Sequence, residues 1–451
     1  MSDLLSIGRS GVVAYRAALS TVGENVSNSE TEGYTRRTVS LNESGLSSST
    51  SYQYRSSAVF GGVGISSVQR VYNDYKSAYA RFSNSEAARA EAKSQWLETA
   101  EGALDDSDIG LGVRMSGVFT AGEGLTTDAG SDTNRRTLMS AIEETVTRFN
   151  SSGKALEAAA TGVTTATQTA VSALNGNLKA LNQVNIALRR AGSGSAGQAL
   201  LLDQRDALLK SISGAVGIDV RLENDGRADV TLTGDYTAKL VDSSETTPAF
   251  LGVVTSGDGR MSLVMSGNVA QSVITPQSGS LSGLIDAAGT IASRREALDA
   301  VAARFGEVMN QWNGAGIDKN GAAGADLVSG TTATGLATVT SDLSKIAAAS
   351  TGGISNGNAL ALKDYRNSAG PEAKWQLLVT THAQTVASAK AEVSATEAQR
   401  DGAFSALDEV TGVDLDVEAA QLLRFQQAYS GSAKIIQVAR ETLQEIMNLF
   451  Q

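Results

Sequence analysis

Apolar residues recur at alternating intervals of three and four near the start of the chain. This row consists of Leu5, Gly8, Val12, Tyr15, Leu19, Val22 and Val26. Near the other end an apolar row repeats every seven residues and consists of Leu422, Tyr429, Ile436, Leu443 and Phe450, with Gln426 in the adjacent row. Such spacing places the residues along one side of a helix that packs on another helix. The pattern predicts two terminal helices that pair with each other or with another chain.

Helical periodicity also fills most of the interior. One helix is predicted from about Asp74, a second from about Asp132 to the Gly-rich residues 191–197, a third across 298–312 and a fourth from Pro371. The glycines between 110 and 124 interrupt this pattern, so that stretch is expected to be a loop. Three or four such helices predict a bundle with long connections.

Residues 216–282 follow a period of two instead. Ile218, Val220 and Leu222 alternate with polar residues, and turns at 224–226 and 257–259 separate further alternating stretches. Alternation around Asp-Gly turns is typical of β-hairpins. We therefore predict a small β domain set into a helical chain.

The predicted fold class is mainly α with an inserted small β domain, nested so that the N and C termini meet. Three domains are expected: a terminal coiled-coil domain of 1–45 with 409–451, a helical bundle of 46–215 with 283–408, and the β domain of 216–282. A chain whose ends meet while its middle loops outward suits a subunit stacked radially in a tube.

Composition restricts the chemistry that the chain can perform. The sequence has no Cys, which excludes disulfides, thiolate nucleophiles and Cys-ligated metals. Its net charge of −11 argues against a nucleic-acid-binding protein. No run of about 18 apolar residues occurs, and the first residues lack the features of a cleaved signal peptide, so we expect neither membrane insertion nor such cleavage.

Titratable residues offer only weak candidates for a site. The one histidine, His382, lies in an apolar row and is expected to be a packed core residue. The acidic residues 105–108 are interpreted as a solvated loop. Residues 318–321 resemble a calcium loop, but their Gly comes two positions early for an EF-hand and no Glu stands at position 12. No cofactor or metal is expected.

Two charged clusters are interpreted as structural. On a helix, Asp203 and Asp206 would share a face with Arg205 turned away, which fits helix capping or helix pairing better than an acid pair. Tyr34 with Arg36 and its neighbour at position 37 has the composition of a phosphate site. A turn whose charges face a neighbouring subunit is the favoured interpretation.

Motifs at both ends resemble one known family. The residues Asn-Val-Ser-Asn at 25–28, followed by Glu-Gly-Tyr-Thr-Arg at 32–36, resemble the helix end and turn of the axial proteins of the bacterial flagellum, with Glu in place of the family's Pro at position 32. Residues 413–418 and 423–429 resemble the closing motif of that family. The segments 201–208, 216–220 and 280–284 narrow the resemblance to the hook-associated members.

The resemblance implies a structural subunit and not an enzyme. It implies a place at the junction between hook and filament, on the extracellular flagellum that provides motility. The implied partners are further copies of the chain in a ring, the hook protein, the next hook-associated protein and an export chaperone on the C-terminal segment. Export through the flagellar type III apparatus is also implied. The expected assembly residues are the two terminal rows together with Asn28, Gly33 and Tyr34.

Two other interpretations remain open at this point. Another axial protein, such as a hook, rod or flagellin-like subunit, shares the terminal motifs, although the helical bundle argues against a hook protein. A flagellum-associated cell-wall hydrolase would need a catalytic carboxylate in a cleft. The sequence has no Gly-x-Ser-x-Gly turn, P-loop or dinucleotide fingerprint.

Overall fold

The computed structural model describes residues 2–31, 33–43, 61–267 and 271–449. Within these residues the chain is mainly helical with small antiparallel sheets, which confirms the predicted fold class. The α-helices are α1 (Ser2–Ser27), α2 (Asp74–Ala103), α3 (Leu111–Thr127), α4 (Asp132–Leu188), α5 (Ala196–Ala215), α6 (Ser280–Gly314), α7 (Gly357–Ala361), α8 (Pro371–Thr411) and α9 (Leu415–Leu449). Short 3₁₀ helices cover Leu343–Lys345 and Leu362–Tyr365.

The helix α3 contradicts the loop expected between 110 and 124. Its buried residues include Leu111, Met115, Val118 and Phe119, which lie at helical spacing. Their burial outweighs the cost of helical glycine, which is about 1 kcal/mol per residue. The glycines also serve packing, because a Cβ at Gly122 would collide with the side chain of Leu362.

The strands are short and form separate antiparallel sheets. They are β1 (Arg37–Glu43), β2 (Val63–Arg70), β3 (Ile218–Leu222), β4 (Ala228–Leu232), β5 (Asp235–Val241), β6 (Phe250–Thr255), β7 (Met261–Ser266), β8 (Ser272–Ile274), β9 (Gly316–Ile317), β10 (Val328–Ser329), β11 (Ala337–Thr338) and β12 (Ala349–Ser350). Two sheets have three strands, ordered β3-β4-β5 and β6-β7-β8. The hairpins predicted around 224–226 and 257–259 are therefore present.

The hairpin of β1 and β2 follows the first helix. Arg37 lies opposite Arg70 in this ladder, and a bulge falls between Ser40 and Leu41. Both arginines therefore lie at the open end of the hairpin. The sequence also favours a short extended piece at 56–60, which lies outside the described residues.

The chain folds as two compact units. Unit 1 comprises Met1–Asn84, Leu174–Phe250 and Glu397–Gln451, and unit 2 comprises Ser85–Ala173 and Leu251–Thr396. The three-domain division made from the sequence stays a prediction.

Each unit has its own core. In unit 1, the hairpin strand β4 buries Val230 and Leu232. In unit 2, Phe149 and Phe305 pack with ring centroids 5.6 Å apart. Trp312, also in unit 2, is fully buried and donates its indole N–H to the carbonyl oxygen of Asn358 at 2.8 Å. A buried indole with a satisfied N–H is a strong packing anchor.

Candidate functional site

The terminal helices α1 and α9 pack antiparallel in unit 1. Asn25 contacts Glu418, while towards the other end of the pair Gly8 contacts Ile436. Between these two points the rings of Tyr15 and Phe425 lie 6.4 Å apart. The pairing of the two chain ends, which the sequence predicted as one of two alternatives, is therefore intramolecular.

Small residues form the centre of the contact on α1. Ala14, Ala18 and Val22 are each no more than 3 % exposed, whereas the large side chain of Val26 is 40 % exposed. A Cβ added at Gly8 would lie 2.6 Å from Ile436 Cγ1 and 3.2 Å from the carbonyl oxygen of residue 432. The two backbones approach this closely because glycine leaves the space open.

The apolar row predicted on α1 lies beside this centre. Leu5, Val12, Tyr15 and Leu19 are half-buried. Of the predicted row, Gly8 and Val22 are buried in the contact. The other members are large apolar residues, which sequence periodicity favours, and they lie at the edge of the contact. The assembly role given to this row stays a prediction.

On α9 the contact is made by a row that includes Phe425, Ser432, Ile436 and Ala439. Of the predicted row, Leu422, Ile436 and Leu443 are half-buried, whereas Gln426 and Tyr429 are exposed. Phe450 lies outside the described residues.

A second face of α9 points away from α1. It exposes Leu423 by 59 % and Val438 by 49 %. Exposed large apolar residues grouped along one helix are typical of a surface that binds a further protein.

The segment after α1 turns back through residues 28–36. Asn28 closes the helix by donating from Nδ2 to the carbonyl oxygen of Glu24 at 2.8 Å. Gly33 has φ of +78°, a conformation that favours glycine. Glu32, which stands where the family has Pro, lies outside the described residues. The turn places Tyr34, Arg36 and Arg37 at the base of the helix pair, the end where Asn25 of α1 meets Glu418 of α9.

Four side chains at that base form what we call the terminal latch: Asn25, Tyr34, Arg36 and Glu418. The Glu418 carboxylate is fully buried and accepts hydrogen bonds from Arg36 Nε at 2.6 Å and from Asn25 Nδ2 at 3.0 Å. Asn25 also accepts from the Tyr34 hydroxyl at 2.9 Å. A buried carboxylate is tolerated only when it is paired in this way.

The Asn25 amide makes every hydrogen bond available to it. Its Nδ2 also donates to the backbone carbonyl of Arg37 at 2.9 Å, and its Oδ1 also accepts from the backbone N–H of Arg37 at 3.0 Å. Burial raises the pKa of Tyr34, although the Arg37 guanidinium opposes this shift. The Tyr34 hydroxyl therefore remains a donor at neutral pH.

A second group, the ion-pair clamp, consists of Arg37, Arg70, Asp203 and Asp206. Asp203 on α5 accepts from Arg37 at 2.9 Å and from Arg70 at 3.0 Å, and Arg70 also pairs with Asp206. Burial alone would lower the pKa of Arg37, but its hydrogen bond to Asp203 and the charges of Tyr34, Asp203 and Glu24 together outweigh burial, and the pKa is raised. The clamp joins the β1–β2 hairpin to α5.

The structure corrects three details of the sequence interpretation. Arg205 is not turned away, because it is 2 % exposed, donates to the carbonyl oxygen of Gly226 at 2.6 Å and pairs with Asp206. The sequence favoured a turn whose charges face a neighbouring subunit over a phosphate site, but Arg36 and Arg37 both pair with carboxylates of the same chain. The helix-pairing role expected for the two aspartates is replaced by a helix-to-hairpin contact. No sequence signal singled out Arg70.

A cleft of about 810 Å³ lies beside the turn in unit 1. Its lining includes five carboxylates, among them Asp206 and Asp414. Asp206 is paired with two arginines, and Asp414 caps α9 by accepting from the N–H of Asp416 at 2.9 Å. Both carboxylates have structural partners.

The loop expected to resemble a calcium site is a closed turn. Asp318 Oδ1 accepts from the N–H groups of Asn320 at 2.8 Å and Ala322 at 2.9 Å, and Lys345 lies 3.6 Å from its other oxygen. Throughout the part of the chain that the structure describes, no group of three or more acidic or histidine side chains is placed to hold a metal ion. Nor is any helix of that part long and apolar enough to cross a membrane.

His382 is buried in unit 2, which confirms the predicted core position. Arg294 Nε lies 3.3 Å from Nδ1 and the Leu97 carbonyl oxygen lies 3.0 Å from Nε2. Because arginine can only donate, we assign the proton to Nε2, which leaves the ring neutral. Burial lowers the pKa of His382 from 6.5, Leu97 and Glu101 oppose the shift, and Arg294 adds to it.

We expect the free energy of unfolding of unit 2 to fall when the pH drops below 6.5. The unfolded chain takes up the proton first, so the contribution of neutral His382 is complete above 6.5 and is lost as the pH falls through the lower folded pKa. Urea unfolding at about pH 7.5 and about pH 5.5 measures the difference. His382→Gln should remove most of this difference in unfolding free energy. An equal loss in the unchanged protein and in the variant would contradict the assignment of a neutral His382.

Comparisons with known proteins agree with this architecture. The model of the "Flagellar hook-associated protein FlgK helical domain" matches residues 97–328, and that of the "Flagellar basal body rod FlgEFG protein C-terminal" matches residues 405–449. The second match covers all of α9, and the first covers more than half of the chain.

Curated relatives are similar over most of the sequence. Flagellar hook-associated protein 1 of Escherichia coli (strain K12) is 28 % identical over 334 residues, which cover 72 % of this chain and 60 % of the relative. The Bacillus subtilis (strain 168) protein of the same name is 24 % identical over 505 residues, which cover 98 % of this chain and 97 % of the relative. The match thus spans less than two thirds of the first relative but nearly all of the second.

A solved structure shares the fold. The flagellar hook junction protein FlgK from Burkholderia pseudomallei matches with a TM-score of 0.50 and 19 % identity, covering 56 % of this chain and 46 % of that one. Given a helical-domain match over more than half of its length, the chain belongs to the FlgK family of hook-associated proteins, which are structural components of the bacterial flagellum.

Proposed function

We propose that this chain forms the junction between hook and filament and assembles there through its terminal helices. The observation that carries the proposal is the α1–α9 pair, whose outer face exposes Leu423 and Val438. A face of this kind costs free energy in water and is stabilised when a neighbouring subunit covers it. Membership in the FlgK family supports the same place in the flagellum.

The proposed partners follow from that location. Copies of the chain would lie side by side in a ring, with hook protein on one side and the next hook-associated protein on the other. Tyr429 and Gln426 are exposed on α9 and are available for contacts between copies. Export through the flagellar apparatus, with a chaperone on the C-terminal segment, belongs to the same proposal.

Electron microscopy of isolated hooks tests the proposal. The purified full-length chain should add one layer at the hook tip, and a chain lacking residues 409–451 should add none, because it has no α9. Circular dichroism and tryptophan fluorescence of the shortened chain serve as the folding control.

The other outcomes are informative. Long tubes would support a different axial role, which the match of α9 to rod proteins favours as the second candidate. Absence of binding by the folded full-length chain would contradict the junction proposal.

A further inference from the structure

The contact between α1 and α9 does little to fix its own register. Its centre on α1 is a row of small residues, Gly8, Gly11, Ala14 and Ala18. Small side chains spaced by three and four present nearly the same surface one helical turn away, a shift of about 5.4 Å. A seam of this kind needs a polar contact to select one register, as a single buried polar residue does in coiled coils.

Glu418 is placed to make the polar contact that selects one register. Among the described residues of α9 it is the fully buried carboxylate, and it reaches both Asn25 on α1 and Arg36 on the turn. A slip of one turn would carry it away from both partners and leave its charge buried without a partner. Breaking a buried pair in this way is strongly destabilising, whereas the apolar seam would lose little.

The partners of Glu418 are themselves held by the rest of unit 1. The Arg36 N–H donates to the carbonyl oxygen of Thr411 at 2.9 Å, and its carbonyl oxygen accepts from Val71 at 2.9 Å. The next residue, Arg37, is held by the ion-pair clamp through Asp203. The position of Arg36 is thus fixed by the hairpin, by α5 and by the end of α8.

We propose that Glu418 is a positioning residue that sets the register of the terminal helix pair against the folded body of unit 1. The inference rests on the proposed assembly through these helices. The register determines the height at which the outer face of α9, with Leu423 and Val438, meets a neighbouring copy. A pair slipped by one turn would present these side chains about 5.4 Å out of place.

Disulfide trapping reads the register directly, because the chain has no Cys of its own. Gly8→Cys with Ile436→Cys reports the observed register, since a Cβ at position 8 lies 2.6 Å from Ile436 Cγ1, close to the separation of Cβ and Sγ across a disulfide. Gly8→Cys with Ser432→Cys, and Gly8→Cys with Arg440→Cys, report slips of one turn in either direction.

Each reporter pair is placed in three backgrounds: unchanged, Glu418→Gln and Asp416→Asn. Asp416 lies in the same turn of α9 and is exposed, so its replacement removes the same charge without touching the latch. Glu418→Gln keeps the shape of the side chain but removes the charge that penalises a slip. We expect it to raise the slipped products at least threefold relative to the 8–436 product, with no change from Asp416→Asn.

The outcomes separate the inference from the proposed function. Equal product ratios in the Glu418→Gln and Asp416→Asn backgrounds would overturn the positioning role. Lack of the 8–436 product in the unchanged background would overturn the register itself. The trapping is done on the isolated protein and does not depend on hook binding. If Glu418→Gln shifts the register but the unchanged chain does not bind hooks, the junction proposal is refuted and the positioning role stands.

Discussion

Replacing Gly283 with alanine will lower the free energy of unfolding of unit 2 by about 3 kcal/mol, the upper part of the range for overpacking a close contact. Gly283 lies in α6 where this helix crosses α2. An added Cβ would collide with the backbone carbonyl oxygen of Arg89 and lie 3.1 Å from the backbone nitrogen of Lys93. Backbone atoms of a helix cannot move aside as a flexible side chain can, so the two helices must separate.

Gly289 in the same helix provides the matched control. A Cβ there meets no atom within 4 Å. Gly289→Ala should therefore be neutral or stabilise the unit by up to about 1 kcal/mol through helix propensity. The three tryptophans, Trp96, Trp312 and Trp375, all lie in unit 2, so their fluorescence during urea unfolding reports on this unit. Equal unfolding free energies for the two variants would show that the α2–α6 crossing is looser than described.

Replacing Gly8 with leucine will reduce occupancy of hook tips about tenfold, which corresponds to about 1.4 kcal/mol in binding. The new side chain cannot fit against Ile436 Cγ1 at 2.6 Å and the backbone nitrogen of that residue at 3.3 Å. The α1–α9 pair must then open, and the outer face of α9 loses its fixed position. Electron microscopy of decorated hooks measures the occupancy, and limited proteolysis of the free protein measures the opening.

The control for this experiment is Gly23→Leu in the same helix. Position 23 has no atom within 4 Å of an added Cβ, so the substitution changes helix propensity equally without touching α9. We expect it to bind hook tips as the unchanged chain does. If the Gly8 and Gly23 variants bind alike, the close approach of the terminal helices is not required for assembly.

The sequence predicted the long helices well because each one buries a continuous stripe at the helical period. The starts at Asp74, Asp132 and Pro371 agree with α2, α4 and α8. The same reasoning was wrong at α3, where glycines suggested a loop. There Leu111, Phe119 and their neighbours gain more by burial than the glycines cost, and Gly122 makes room for a side chain distant in sequence.

The candidate site was predicted in part. Periodicity located the terminal helices and their motifs, and it included Gly8, Val22 and Ile436 among the contact residues. It also chose large side chains such as Val26, which is exposed, over Ala14 and Ala18, which are buried. A periodic rule gives weight to large apolar residues, whereas a close helix crossing accepts only small ones.

By itself, the sequence determined the local and repetitive features of this protein: the helical period, the paired ends, the hairpin turns and the family to which its motifs belong. These depend on neighbours within a few residues, which the sequence displays directly. Only the tertiary structure decided that Glu418 meets Asn25 and Arg36, and that Asp203 joins Arg37 to Arg70. Those pairs lie more than a hundred residues apart in the chain, and a buried charge acquires its role only from the partners that the fold brings to it.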